Sequence, residues 1–297
     1  QKICFDAKAL MHDLDYYDIQ INNYFDVSLA IYIANEMDGE ISLDDALKLN
    51  NISTETKTYS LITLKEIYVG KLINNVQLKL YSDIELPLVK VLFDMEKTGF
   101  MVDTNQIKTL SNSYHQELNE ITEKIYELSG ENFNINSPKQ LQSVLFDKLK
   151  IEYTGKKGTS IEVLNEISDK HEVVNYIIRY RKISKLISTY LDGMLNYVQS
   201  DGKIHTTFMQ RSTSTGRLSS REPNLQNLPI RDDEGRALRK MFSSSFSNGT
   251  IISADYNQIE LRLMANFSGD ENMIADYLSG KDIHTATASK IFNVSIS

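Results

Sequence analysis

The chain has 297 residues, 41% of them hydrophobic and 24% charged, with a formal net charge of −8. That length allows two or three domains with cores of their own, and no run of about 20 apolar residues offers a membrane-spanning helix. A single cysteine, Cys4, excludes an intramolecular disulfide and a cysteine-based zinc cluster, and fits a reducing, cytoplasmic compartment.

The first residues, QKICFDAKALMHDLDYYD, are mixed and acidic, unlike a signal peptide. They lack an initiator Met, and the chain reads as a piece of a longer protein. Its acidity is uneven. Residues 1–100 carry 9 lysines and arginines against 16 acids, whereas residues 203–240 carry 8 against 4. Local charge governs phosphate binding, because salt screens exposed charges beyond a Debye length of about 8 Å.

Residues 1–80 read as an α/β or mainly helical unit. Ile19-Gln20-Ile21 alternates and predicts a strand. Val27 to Ala34 is apolar nearly throughout and predicts a buried helix, and Leu43 to Leu49 and Leu61 to Val69 predict short ones. Asp6, Asp13, Asp15, Asp18 and Asp26 are accounted for as surface acids. Metal-dependent nuclease chemistry needs carboxylates with defined partners, and no such set is fixed here.

A boundary falls near 80–86, and Pro87 opens a helical pattern through Leu88, Val91, Leu92 and Met95 that stops at Gly99. Phe100-Met101-Val102 is a short extended piece. Asp103 or Thr104 caps a helix running to about Leu128, and Gly130 ends it. Ser137 and Pro138 start another, as N-cap and N1. Thr154 to Ser160 is a basic loop, Ile161 to Ile167 a short helix, and His171 to Val198 a long one with Arg179, Arg181, Lys182 and Lys185 on its middle. Two readings stay open for this arm: a plain helical bundle, or a grip on a polyanion through the loop and the basic face.

Lys203 to Met209 alternates and predicts a strand. Gln210 to Leu228, QRSTSTGRLSSREPNLQNL, is poor in apolar groups and predicts no core. A disordered linker is one reading. Amides and guanidiniums at this density also suit base edges, sugars and phosphates. Arg231, Arg236, Arg239 and Lys240 continue the basic stripe. Ile251 to Ala254 predicts a buried strand that ends on Asp255, with Asn257 as N-cap of the next helix and Glu260 as its capping-box partner. A carboxylate at a strand end is a candidate metal ligand, or simply an acid satisfied by turn amides. Ser268-Gly269-Asp270 and Ser279-Gly280 break the helices that follow, and Asp282 caps a last one with His284 in its first turn, where a phosphate could bind.

Four blocks in order, Thr215 to Ser220, Pro223 to Arg231, Asp255 to Arg262, and Ser268 to Asp270 with Lys281 to Thr285, closely resemble family A DNA polymerases of the bacterial DNA polymerase I type. Weaker likeness extends upstream through Glu85 to Gly99 and Ser137 to Leu141. The resemblance implies a multidomain α+β right hand. Residues 1–82 would be a partial, inactive 3′–5′ exonuclease-like α/β domain and 83–200 a helical thumb. Residues 201–268 would be the N-terminal palm with an antiparallel sheet, and 269–297 the start of the fingers.

It further implies template-directed transfer of deoxynucleotides to a primer 3′-hydroxyl with two Mg²⁺ ions about 4 Å apart. Asp255 and the main-chain carbonyl of Tyr256 would be metal ligands. Glu260 would exclude a 2′-hydroxyl, and Gln258 and His284 would lie by the triphosphate. Arg217 would reach the minor groove, and Asn224, Gln226, Asn227 and Arg231 would hold the strands. Expected partners are primer–template DNA and deoxynucleoside triphosphates, with no membrane and a monomeric state, in the bacterial cytoplasm beside the nucleoid. Asn257 stands where the family has Ser, and the thumb loop is short. Tyr81-Ser82-Asp83 lacks the exonuclease spacing, so proofreading is expected to be absent. The fingers helix and the second metal carboxylate would follow Ser297, so these residues alone are expected not to polymerise. A binding module without catalysis is the alternative.

Overall fold

Two compact units make up the chain, Gln1–Gly249 and Thr250–Ser297. The computed structural model describes residues 1–35, 39–53, 56–229, 232–280, 282–292 and 294. The architecture is α+β and mostly helical.

The first unit begins with β1 (Lys2–Cys4), α1 (Ala7–Asp15), β2 (Tyr24–Asp26), α2 (Val27–Asn35), α3 (Leu43–Leu49) and α4 (Lys57–Asn74). Strands β1 and β2 pair in parallel, with Ile3 opposite Phe25. The strand predicted at Ile19–Ile21 does not form. Asp18 takes φ +55°, and the Ile19 amide bonds back to Leu14 O at 3.1 Å, so this stretch closes α1 and pairing starts three residues later. Helices α2 and α3 fall where the apolar runs predicted them, while α4 extends beyond Leu61 to Val69 at both ends.

A π-helical turn, Leu80–Glu85, leads into α5 (Leu86–Thr98), where Pro87 sits in the first turn. Gly99, at φ +61°, ends it. A Cβ there would stand 2.7 Å from the His205 ring, so glycine serves both the turn and the close approach. Then come β3 (Phe100–Val102) and α6 (Thr104–Ser129), capped by Asp103 through the amides of Asn105 and Gln106. Next are α7 (Pro138–Gln142), a π-helical turn Ser143–Lys148, and α8 (Ile161–Glu166).

The long helix predicted over 171–198 is divided. It runs as α9 (Glu172–Lys185), a π-helical turn (Leu186–Leu191) and α10 (Asp192–Leu195). Gly193 permits the widened turn, since a Cβ there would lie 2.2 Å from the Ser188 carbonyl oxygen. The strand predicted over 203–209 is also divided, into β4 (Lys203–Ile204) and β5 (Thr207–Met209). Between them Thr206 turns inward and donates to Pro223 O at 2.7 Å. The unit closes with β6 (Ser219–Arg221), α11 (Asp233–Arg239) and β7 (Phe242–Ser243). Strand β3 lies between β4 and β7, antiparallel to both, and β5 pairs with β6.

Two hydrophobic clusters hold this unit. One gathers Phe25, Leu29, Leu64, Tyr68 and Phe93 from the first part. The other gathers Ile107, Ile125, Leu145, Ile177, Leu191 and Leu238. The second unit consists of an irregular lead, then α12 (Ile259–Ser268), α13 (Glu271–Leu278) and α14 (Ile283–Phe292). Gly269 in the left-handed region ends α12, and Asp270 caps α13 through the Met273 amide at 2.8 Å. Among the described residues, no helix is long and apolar enough to cross a membrane.

Candidate functional site

The lead into α12 differs from its prediction. Among the described residues, 250–256 form no strand, and Ile252 and Tyr256 are 86% and 80% exposed. Apolar, β-branched residues favour a strand, but a ladder exists only where a partner supplies hydrogen bonds. Asp255 is exposed beside Tyr256.

The predicted capping box is also replaced. The N-cap of α12 is Gln258, not Asn257, and it sits at φ +52° without a side-chain cap bond. Asn257 instead offers its carbonyl to the Arg262 Nε at 2.9 Å, and the Arg262 guanidinium stacks over the Tyr277 ring of α13 at 4.5 Å. Glu260 stands in the first turn of α12.

What fixes Gln258 is Asp282. The Gln258 Nε2 donates to Asp282 Oδ2 at 3.0 Å. The other Asp282 oxygen accepts from the Thr285 amide at 2.8 Å and hydroxyl at 3.0 Å, capping α14 as the sequence predicted. The Thr285 bonds, then Gln258, together with the nearby charge of His284, hold the Asp282 carboxyl below its ordinary range. Exposed His284 lies in the first turn of α14, so Gln258, Asp282 and His284 come together at two helix starts.

Asp255 and the Tyr256 carbonyl are hard oxygen donors, the kind Mg²⁺ takes. Among the described residues, no group of three or more His, Cys, Asp and Glu side chains could hold a metal ion. Mg²⁺ is commonly held by one or two carboxylates with substrate phosphates completing the shell, a demand that one carboxylate and one carbonyl would meet only in part.

The amide- and arginine-rich segment lies in the first unit and is ordered. Arg217 is exposed on the turn between β5 and β6, which closes when the Thr213 hydroxyl donates to the Arg217 carbonyl at 2.8 Å. Asn224 caps a 3-10 turn, Leu225–Asn227, through the Gln226 amide. The Gln226 side chain donates to Leu218 O at 3.0 Å, and the Asn227 carbonyl accepts the Tyr190 hydroxyl at 2.5 Å. Asn224 and Asn227 line a cavity of about 830 Å³ with Lys185, Tyr197 and Arg221. Arg231 lies outside the described residues.

One expectation is corrected here, and the structure adds detail to a reading that was open. Gln210 is buried and Arg211 largely so, although their polar surroundings in sequence predicted no core; Asp6, the N-cap of α1, and Glu40, between α2 and α3, receive Arg211. The basic face of α9 is mostly committed within the protein. Arg179 pairs with Glu117 and Glu234, Lys182 with Asp232 and Glu234, and Arg181 donates to Thr159 O. The ion pairs of Arg179 and Lys182 join residues 50 or more positions apart and leave no signal in local sequence. Asp282 was legible as a cap, but its bond to Gln258 was not. Arg221 lies between two of the motif blocks, and only the cavity it lines with Asn224 and Asn227 singles it out.

Residues 104–297 match the model of DNA polymerase family A. The chain belongs to that family. It is 40% identical to DNA polymerase I of Bacillus subtilis strain 168, covering 99% of the chain and 37% of that relative. It is 39% identical to DNA polymerase I of Caldicellulosiruptor bescii, covering 99% and 36%. The family A chain thus spans little more than a third of the length of these relatives. A solved structure, the POL domain of Pol1 from M. smegmatis in complex with DNA primer-template and dNTP, matches with a TM-score of 0.90 and 34% identity, over 99% of this chain and 54% of that one.

Proposed function

We propose that this chain is part of a DNA-directed DNA polymerase that adds deoxynucleotides to a primer 3′-hydroxyl during DNA replication and repair. The observation that carries the reading is the Asp255–Arg262 turn, with Gln258 fastened to the start of the helix that bears His284. A helix N-terminus with a neighbouring imidazole suits a triphosphate. The homologues named DNA polymerase I and the primer-template and dNTP of the structural neighbour support the substrate class.

In this reading Asp255 and the Tyr256 carbonyl hold Mg²⁺, which when bound neutralises charge on the transferring phosphoryl group and aligns the attacking hydroxyl. Gln258 and His284 orient the nucleotide phosphates, and Glu260 excludes a 2′-hydroxyl. Arg217 donates to minor-groove acceptors, which are shared by all base pairs. Asn224, Gln226, Asn227 and Arg231 hold primer and template. Residues 1–82 form an exonuclease-like part without proofreading, 83–200 the thumb, 201–268 the palm and 269–297 the start of the fingers. The protein acts as a monomer in the cytoplasm. With one metal carboxylate, these 297 residues alone do not polymerise.

The test is primer extension by the intact polymerase. Asp255→Ala should abolish extension and leave primer–template binding in place; near-normal turnover would refute the metal role. Glu260→Ala should admit ribonucleotides, and unchanged sugar discrimination would refute the gate.

A further inference from the structure

The loop that carries Arg217 is fastened, on its incoming limb, to elements more than 120 residues away in sequence. Gln210 Nε2 donates to the Glu85 carboxylate at 2.6 Å and to the Glu85 carbonyl at 2.9 Å. The Arg211 guanidinium donates to Asp6 at 2.6 Å, to Glu40 at 3.1 Å and, through its other terminal nitrogen, to the Ser28 hydroxyl at 2.7 Å. Ser28 passes the contact inward, donating to the buried Asp26 at 2.8 Å. Tyr32, on α2, donates to the Thr213 carbonyl at 2.5 Å. The same Thr213 then donates its hydroxyl to the Arg217 carbonyl at 2.8 Å. Two hydrogen bonds therefore separate α2 from the Arg217 backbone.

A loop of this composition has no apolar anchors of its own, and left to itself it would sample many conformations. A guanidinium with one nitrogen shared by two carboxylates and the other on a hydroxyl makes directional, partly charge-assisted bonds, and these remove that freedom. Asp6, the N-cap of α1, is supplied by an element with no part in the proposed chemistry.

We infer that Arg211 and Tyr32 are positioning residues for the polymerase site: they bolt the 210–217 loop to the N-terminal core and so set where Arg217 meets the duplex. The N-terminal elements thereby serve primer–template binding as a scaffold. The inference rests on the reading of Arg217 as a DNA contact.

Two readouts on the intact polymerase test it and keep the two readings apart. The first is amide hydrogen exchange at residues 212–218, which does not depend on activity. Arg211→Ala should raise it about tenfold, the loss of one or more charge-assisted bonds, while the amides of α6 and α9 are unchanged. The second is steady-state extension with varied primer–template. Arg211→Ala should raise the primer–template KM about tenfold with kcat within about twofold, and Arg211→Lys should recover part of the loss. In an Arg217→Ala background, Arg211→Ala should add nothing further.

Unchanged exchange at 212–218 in both Arg211→Ala and Tyr32→Phe would overturn the inference, as would KM effects of Arg211→Ala and Arg217→Ala that simply multiply. If the loop loosens but Arg217→Ala leaves the primer–template KM unmoved, the tether stands as a loop anchor, and the role in DNA positioning falls with the Arg217 assignment. Should Arg211→Ala raise exchange throughout the protein, Tyr32→Phe carries both readouts, since it removes one hydroxyl.

Discussion

Gln258 and Asp282 join the starts of two helices through a 3.0 Å hydrogen bond, and this bond accompanies a left-handed backbone at Gln258. A non-glycine residue in that region costs on the order of 1–2 kcal/mol, which the surrounding contacts must offset. Asp282→Ala removes the support and the α14 cap together, and a lost cap alone costs about 1 kcal/mol. Asp282→Asn keeps a cap acceptor but can place an amide group opposite the Gln258 donor. We expect both variants of the intact polymerase to raise the KM for deoxynucleotides, Asp282→Ala by about tenfold and Asp282→Asn less, with primer–template affinity unchanged. Steady-state kinetics with each substrate varied in turn measures this; a shift confined to primer–template would count against it.

Glu96 is a buried carboxylate at the meeting of three elements. It accepts from the Phe208 amide of β5 and contacts His12 of α1, each at 2.6 Å, and it pairs with Lys8, which also reaches Phe208 O. Burial pushes its carboxyl up, but the bonds from His12, Lys8 and Phe208 outweigh that and hold it below its ordinary range. Removing one partner of a buried pair leaves the other uncompensated, at about 3–5 kcal/mol. Glu96→Ala should lose about that much in urea unfolding. Glu96→Gln, still an acceptor for Phe208, should lose less. Equal losses would mean that the charge contributes nothing.

Much of the helical frame was readable from caps and apolar spacing. Asp103, Ser137, Asp270 and Asp282 each accept a first-turn amide, and Gly99, Gly130 and Gly269 each end a helix at positive φ. These are local devices, written in a few adjacent residues. What local sequence left unread lies where distant parts decide. Ile251 to Ala254 has the composition of a strand, yet nothing among the described residues pairs with it. Arg179 and Lys182 look free for a polyanion until Glu117, Asp232 and Glu234 fold against them. Arg211 sits in a run of polar residues, and only the tertiary placement of Asp6 and Glu40 shows why it is largely buried.

Glu234 sets a pH dependence with a definite sign. Its bonds to Arg179 and Lys182 pull its pKa down to about 2. A carboxyl depressed in the folded state contributes stability that is fully present above the unfolded value, near 4.3, and is lost as pH falls toward 2. Thermal unfolding between about pH 5 and 2 should therefore show a steeper fall in Tm for the wild type than for Glu234→Gln. At neutral pH the variant should be less stable, by about 1–3 kcal/mol for the lost charged hydrogen bonds. Parallel Tm curves would show that the triad with Arg179 and Lys182 is not the source of the acid sensitivity.

Gly235 tests whether steric fit or helix propensity governs α11. In an open helix, Gly→Ala stabilises by about 1 kcal/mol, because alanine restricts the unfolded chain and favours the helix. Here an added Cβ would lie 2.4 Å from the Pro229 carbonyl oxygen and 2.7 Å from its carbon, both backbone atoms. It would also approach Asp232 Oδ1 at 2.9 Å, the oxygen that caps α11 through the Gly235 amide. The methyl cannot be accommodated by turning a flexible side chain, so the helix or the 228–229 segment must move. That displacement would disturb Leu238, which is fully buried in the larger core. We expect Gly235→Ala to destabilise by about 1–3 kcal/mol, the range for overpacking a filled site, against the propensity gain. Chemical denaturation decides it: a variant as stable as wild type or more so would mean that the Pro229 backbone yields without cost and that propensity wins.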